Sequence, residues 1–239
     1  MNSRPCTRIH MIEFDNITKT YGKTEVLHGV SLTVPKGQTL GLIGPNGSGK
    51  TTLLKMAVGL NRPTSGTVTL NGRQLPDVDA RRIVSYMPQI AHFSDNASAA
   101  DLMKLLTRIR QQDPLHQEEL IDFLGLRDDW KKPIGQFSGG MKQKVSAIMA
   151  MAFPSDILIL DEPTVGLDPH MRYLFKKTLL DRIAKGATTI ITSHILSDLD
   201  ELVDRIVSIQ EGAIHFDGMV SDLKANNTNI EELLYGNHE

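Results

Sequence analysis

Cysteine occurs once in the 239 residues, at Cys6, which excludes an internal disulfide and any cysteine-cluster metal site. A reducing, cytosolic compartment is the expectation for such a chain. No apolar run approaches the ~18 residues needed to span a bilayer. The longest, Ala147 to Phe153, is far shorter. Residues 1–10 are polar and lack the apolar centre of a secretion signal, so they read as a loose extension or an upstream start. Charge is nearly balanced, with 26 Lys and Arg against 28 Asp and Glu, and the net −2 offers no basic field for nucleic acid. The chain shows no internal repeat, low-complexity tract or second domain. If a membrane is involved, another chain is expected to supply it.

What is present is ordinary for one globular domain: 40 % hydrophobic and 23 % charged residues in a length that can bury a sizeable core. One stretch stands apart, Gly44-Pro45-Asn46-Gly47-Ser48-Gly49-Lys50-Thr51-Thr52. It follows Thr39 to Ile43, an apolar run of strand length, and precedes Leu53 to Val58, which reads as a helix. Between a strand and a helix start, successive N–H groups converge on a phosphate, and the helix end adds partial positive charge. Gly47 and Gly49 remove side chains that would block the approach. Lys50 supplies charge for the outer phosphates, and the Thr51 hydroxyl is a hard oxygen ligand for Mg²⁺. A Gly-rich turn that binds nothing would not need this order in this context. The stretch points to a nucleoside triphosphate.

The rest of the chain frames that loop. Residues 12–15 and 26–34 alternate like half-buried strands about a turn, Thr20 to Lys23, that exposes Tyr21. Thr67 to Leu70 reads as a strand entering a tight turn at Asn71-Gly72, and Arg82 to Met87 as a strand stopped by Pro88. Residues 99–127 are expected to be a helical insertion, with Leu102, Leu106 and Ile109 on one helical face and Lys104, Arg108 and Arg110 elsewhere. Glu118 to Leu124 reads as a second helix there. Lys131-Lys132 reads as a solvated face. From residue 138 onward helices alternate with the buried strands Ile157 to Leu160, Thr188 to Ile191 and Arg205 to Ile209, which implies a parallel sheet covered on both faces. Residues 212–235 are expected to close the fold with a short strand pair and one polar helix.

Asp161 and Glu162 follow a buried strand, at the edge where open α/β sheets bind ligands. Asp161 is suited to the Mg²⁺ shell and Glu162 to polarising an attacking water. Alone, such a pair is more often a cap or turn; beside a phosphate loop the balance reverses. Ser138-Gly139-Gly140 is a second Gly-rich helix start, where Ser138 can cap the helix and the glycines admit a phosphate. A plain capped helix remains the alternative for that segment taken by itself.

Taken together, from about Ile12 to the end, the set resembles the nucleotide-binding subunit of ATP-binding-cassette (ABC) transporters. The resemblance implies an α/β P-loop NTPase of ABC type. Its mostly parallel core sheet carries an antiparallel β subdomain and a helical insertion over about residues 90–152, in a single ATPase domain spanning 12–239. It implies ATP and Mg²⁺ as cofactors. Tyr21 matches the aromatic that stacks on adenine, residues 44–52 the phosphate loop, and Gln89 the glutamine reaching metal and water. Asp161 and Glu162 match the metal-binding and catalytic acids, and His194 the switch histidine at the γ-phosphate. Ser138, Gly139 and Gly140 match the signature, with Phe137 and Met141 in place of the usual Leu and Gln. Gly166-Leu167-Asp168 matches the loop signalling between subunits. Ser138 to Gly140 and Asp168 would act in trans, on a second copy in a homodimer.

The partner implied is an integral membrane permease, with the chain peripheral on the inner face of the cell membrane. Soluble ABC proteins acting on ribosomes or DNA are the alternative. Those usually carry two cassettes or long coiled coils, whereas this chain has one cassette and no sustained heptads. A narrower similarity lies in Tyr86 to Ile90, Gln143 to Ala147 and Thr192 to Leu202. These look like the copper-processing ATPases of the nitrous-oxide-reductase assembly system, which serve a periplasmic copper-delivery protein through the permease. No soft-metal site is evident in this chain itself.

Overall fold

The computed structural model describes residues 10–193 and 201–226. Two sheets carry the architecture. β1 (His10–Tyr21) and β2 (Thr24–Pro35) form an antiparallel hairpin, and β4 (Ser65–Leu70) pairs with the far side of β1. Alternation along β1 and β2 turns Ile12, Phe14, Leu32 and Val34 inward. β5 (Arg73–Gln74) follows a two-residue turn in which Asn71 and Gly72 have φ 48 and 74, the left-handed pair that such a hairpin requires. The order in this sheet is β2-β1-β4-β5.

The second sheet has the order β10-β9-β3-β8-β7-β6. β3 (Thr39–Ile43), β6 (Val84–Met87), β7 (Ile157–Asp161), β8 (Thr188–Thr192) and β9 (Arg205–Gln210) run parallel, and β10 (Ala213–Met219) returns antiparallel on β9. β3, β7 and β8 are buried at every residue, as strands covered on both faces must be. One face shares an apolar cluster with the first sheet and with α1 (Lys50–Ala57): Leu40, Ile157, Ile159 and Ile190 meet Phe14, Leu53, Leu54 and Leu70. The other face, through Leu158, Leu160 and Ile191, packs with a second group of helices.

Those helices are α3 (Ala99–Arg110), α4 (Gln117–Phe123) and α5 (Gly139–Met151), all between β6 and β7 in sequence, and α6 (Pro169–Ala184). Ser98 opens α3 with a capping box: its hydroxyl accepts from Asp101 N, and its own N–H donates to Asp101 Oδ2. Leu102 and Leu106 of α3 pack against the core, but the last turn of the helix differs from the expectation. Ile109 is 62 % exposed, whereas Ala99 and Met103 are buried and Arg110 turns inward. Arg110 donates to Val84 O at 2.6 Å and to Ser85 Oγ at 3.2 Å, and its guanidinium lies 5.0 Å from the Phe153 ring centre. Burial holds its pKa below the ordinary value, with the nearby Arg182 charge adding to the effect.

One boundary also moves. Arg82 ends a short helix, α2 (Val78–Arg82), capped by Asp77, so the following strand starts at Val84. Among the described residues past 212 there is one strand, β10, which pairs back onto β9, followed by α7 (Val220–Ala225). Residues 227–235 of the expected terminal helix lie outside the described residues.

Candidate functional site

β3 ends at Ile43, and the chain wraps into α1 through residues 44–49. Two glycines are required here, Gly44 by close backbone approach and Gly49 by its left-handed backbone. Gly44 has φ 148, and a Cβ there would lie 2.0 Å from the Ile209 carbonyl oxygen at the end of β9. Gly49 caps α1 with φ 103, and its Cβ would lie 2.5 Å from Leu27 Cδ2 on β2. The loop is thus pinned on both sides, by β9 and β2, with the helix N-terminus at its floor. Ser48 is buried, and its Oγ has no hydrogen-bond partner among the described residues.

Lys50 is 6 % exposed, and its Nζ donates to the carbonyls of Gly44 at 2.7 Å and Pro45 at 2.9 Å. Burial lowers its pKa below the usual lysine value, while Glu162 and Asp161 push in the opposite direction. The cation therefore lies within electrostatic reach of both acids.

The acids stand where β7 gives out. Asp161 Oδ2 accepts from the Thr51 hydroxyl at 2.8 Å, and Asp161 Oδ1 accepts from the Thr192 hydroxyl at 2.7 Å. Glu162 has φ 47, a left-handed conformation unusual for a residue with a side chain. Its N–H donates to Thr192 Oγ1 at 2.8 Å. Asp161 and Glu162 are 1 % and 6 % exposed, so the carboxylates line a recess rather than an open face. The pair Thr51 Oγ1 and Asp161 Oδ2 brings two hard oxygens together beside the phosphate loop, a donor set suited to Mg²⁺.

The other expected residues surround this centre at different removes. Gln89 is exposed two residues past β6; Met87 pairs with Leu160, so Gln89 and Asp161 share one sheet edge. Tyr21 ends β1, 46 % exposed, with its hydroxyl accepting from Asn61 Nδ2 at 2.8 Å and Lys19 Nζ 4.8 Å from its ring centre. Ser138 caps α5, accepting from Met141 N at 3.2 Å, and Ser138 and Gly139 are exposed. Asp168 caps α6, accepting from Met171 N at 2.9 Å. A Cβ on Gly140 would sit 3.4 Å from Gly166 O, so these two loops are neighbours. Among the described residues, no hydrogen bond or ion pair links 138–142 to 44–52. His194 lies outside the described residues.

Two side chains at the centre were not singled out by their sequence. Thr192 is one; its only signal was its place as the last residue of a strand, two hydroxyls already standing at the start of that strand. Tyr86 is the other. Its hydroxyl is buried with no hydrogen-bond partner among the described residues, and burial together with the Asp161 charge raises its pKa.

A family model described as ABC transporter matches residues 27–165. The Nod factor export ATP-binding protein I of Burkholderia lata is 36 % identical over 207 residues, covering 84 % of this chain and 68 % of that protein. The lantibiotic transport ATP-binding protein SrtF of Streptococcus pyogenes is 37 % identical over 227 residues, covering 93 % and 95 %. A solved ATP-binding subunit of an ABC transporter superposes with TM-score 0.85 at 27 % identity, covering 93 % of this chain and 97 % of that one.

Proposed function

The chain belongs to the ABC transporter family as an ATP-binding subunit and ATPase, and from that premise we propose that it drives an integral membrane permease. One observation carries the chemical part of this reading. Asp161 is gripped by a hydroxyl from the phosphate-loop helix and another from β8, beside a buried lysine and a second buried acid. That is machinery for phosphoryl chemistry rather than for nucleotide storage.

In this reading the amides of residues 44–49 and Lys50 bind the β- and γ-phosphates, and Tyr21 stacks on adenine. Thr51, Asp161 and Gln89 would hold Mg²⁺, which supplies charge neutralisation at the phosphate oxygens when bound. Glu162 accepts a proton from water as the water oxygen bonds to the γ-phosphorus. The bond from that phosphorus to the bridging oxygen breaks, and ADP and phosphate leave. His194 would attend the γ-phosphate. Ser138, Gly139, Gly140 and Asp168 would serve the site of a second cassette, completing it across a two-fold axis.

Among the described residues no helix is long and apolar enough to cross a membrane. A permease would therefore hold the chain at the inner face of the membrane. The export and transport names of similar proteins favour this over action on ribosomes or DNA. The narrower role in copper processing, with a periplasmic copper-delivery protein beyond the permease, is supported by the three sequence segments alone. Affinity purification of the chain from its native membranes tests the permease-driving role. Recovery of a multi-span membrane protein that stimulates Mg-ATP hydrolysis is expected; recovery of ribosomes or DNA instead would overturn the proposal.

A further inference from the structure

We propose that Thr192 is a positioning residue for hydrolysis, its hydroxyl tying the Asp161 carboxylate to the backbone of Glu162. The inference rests on the ATPase reading above. Thr192 ends β8, is fully buried, and stands opposite Asp161 in the parallel register of β7 and β8. Its Oγ1 donates to Asp161 Oδ1 at 2.7 Å and accepts from Glu162 N at 2.8 Å. One hydroxyl thus uses its donor on one acid and an acceptor site on the next.

The geometry it holds is a strained one. Glu162 has φ 47, and it precedes Pro163, whose ring further restricts the residue before it. A strained backbone persists only where its surroundings over-determine it. The Thr192 oxygen supplies one such restraint at the Glu162 N–H, and the same atom fixes one oxygen of Asp161 while Thr51 fixes the other. Both Asp161 oxygens are therefore oriented, one from α1 and one from β8. Loss of the hydroxyl would free the turn to relax and leave the Asp161 carboxylate tethered on one side.

Threonine also suits a buried β-strand through its branched shape alone. The two explanations make opposite forecasts: valine keeps the shape and loses the hydroxyl, whereas serine keeps the hydroxyl and loses the methyl. The test is steady-state ATP hydrolysis by the full chain, with binding of a fluorescent ATP analogue measured in parallel, for wild type, Thr192→Ser, Thr192→Val and Thr192→Ala. Groups that orient ligating carboxylates typically govern activity about 10–100-fold, so kcat is expected to fall by roughly that factor in the valine and alanine forms. KM and analogue affinity should stay within about threefold, and serine should retain kcat within about threefold, the split expected of a group acting on turnover alone. Should valine fail to fold, alanine against serine decides. Valine turning over at the wild-type rate, serine falling with valine and alanine, or loss of analogue binding in both hydroxyl-free forms would each overturn the proposal. A wild-type chain without ATPase activity defeats the underlying reading instead. An active wild type with an equally active valine form defeats only this inference.

Discussion

The Thr51 hydroxyl donates to Asp161 Oδ2 at 2.8 Å, joining the first turn of α1 to the end of β7 across 110 residues of sequence. Strand and helix are separately recognisable in the sequence, yet the oxygen pair exists only once β7 lies two strands from β3 in the sheet. Thr51→Val should keep nucleotide affinity but raise the Mg²⁺ concentration for half-maximal hydrolysis. The factor is expected to be about 10–100-fold, as for other groups that orient a metal site. Titration of activity with Mg²⁺ at fixed ATP measures it, and an unchanged half-saturation would contradict a metal-binding role for Thr51.

Lys50 is nearly buried, and burial disfavours its ammonium, so phosphate oxygens brought to it would restore the stabilisation it loses. Wild type is expected to gain about 5–10 °C in melting temperature at an ATP concentration ~100-fold above Kd. Lys50→Ala should gain almost none. Differential scanning fluorimetry with and without Mg-ATP compares the two, and an equal rise in both would contradict a phosphate role for Lys50.

Arg110 fastens α3 to the start of β6 through Val84 O and Ser85 Oγ. Arg110→Met keeps much of the apolar contact with Phe153 but leaves those oxygens without their charged donor. It should lose about 1.5–3 kcal/mol of stability, the usual worth of hydrogen bonds to a charged group. Ile109→Lys, on the exposed side, should change stability by less than about 0.5 kcal/mol. Urea unfolding midpoints separate the two. A larger loss at Ile109 than at Arg110 would mean that α3 packs on its other face.

This contrast shows where sequence reasoning runs out. Residues 44–52 are legible because every group of the loop is contiguous, and strand and helix flank it at once. The apolar strands are legible because burial on both faces leaves no polar alternation. Leu102 and Leu106 do pack on the core, but the last turn of α3 was misjudged at Ile109 and Arg110, because apolar periodicity cannot register an arginine whose partners are oxygens of another element. Thr192 was missed for a related reason: its two partners, Asp161 and Glu162, lie 31 and 30 residues away and meet it only through strand register. Arg82 belongs to α2 because Asp77 accepts from Ala80 N, a cap the apolar run beyond it concealed.

Ser138 and Gly139 are exposed at the start of α5 and have no hydrogen bond to the phosphate loop of their own chain. If they serve a second copy, Glu162→Gln should double in mass on adding Mg-ATP, and the double variant Glu162→Gln, Ser138→Arg should remain monomeric. Multi-angle light scattering reads both. Equal dimerisation of the two would take this loop out of the interface.

Glu162 is the residue on which the chemical reading converges: a nearly buried acid in a left-handed turn, one residue past Asp161 and within electrostatic reach of Lys50. The most direct measurement is phosphate release by wild type and Glu162→Gln at saturating Mg-ATP, with bound ATP counted in the same samples. General-base catalysis is worth ~10²–10⁴-fold, and a loss of kcat in that range with undiminished ATP binding is the predicted result. A glutamine variant that releases phosphate at the wild-type rate would contradict the assignment of Glu162 to the attacking water.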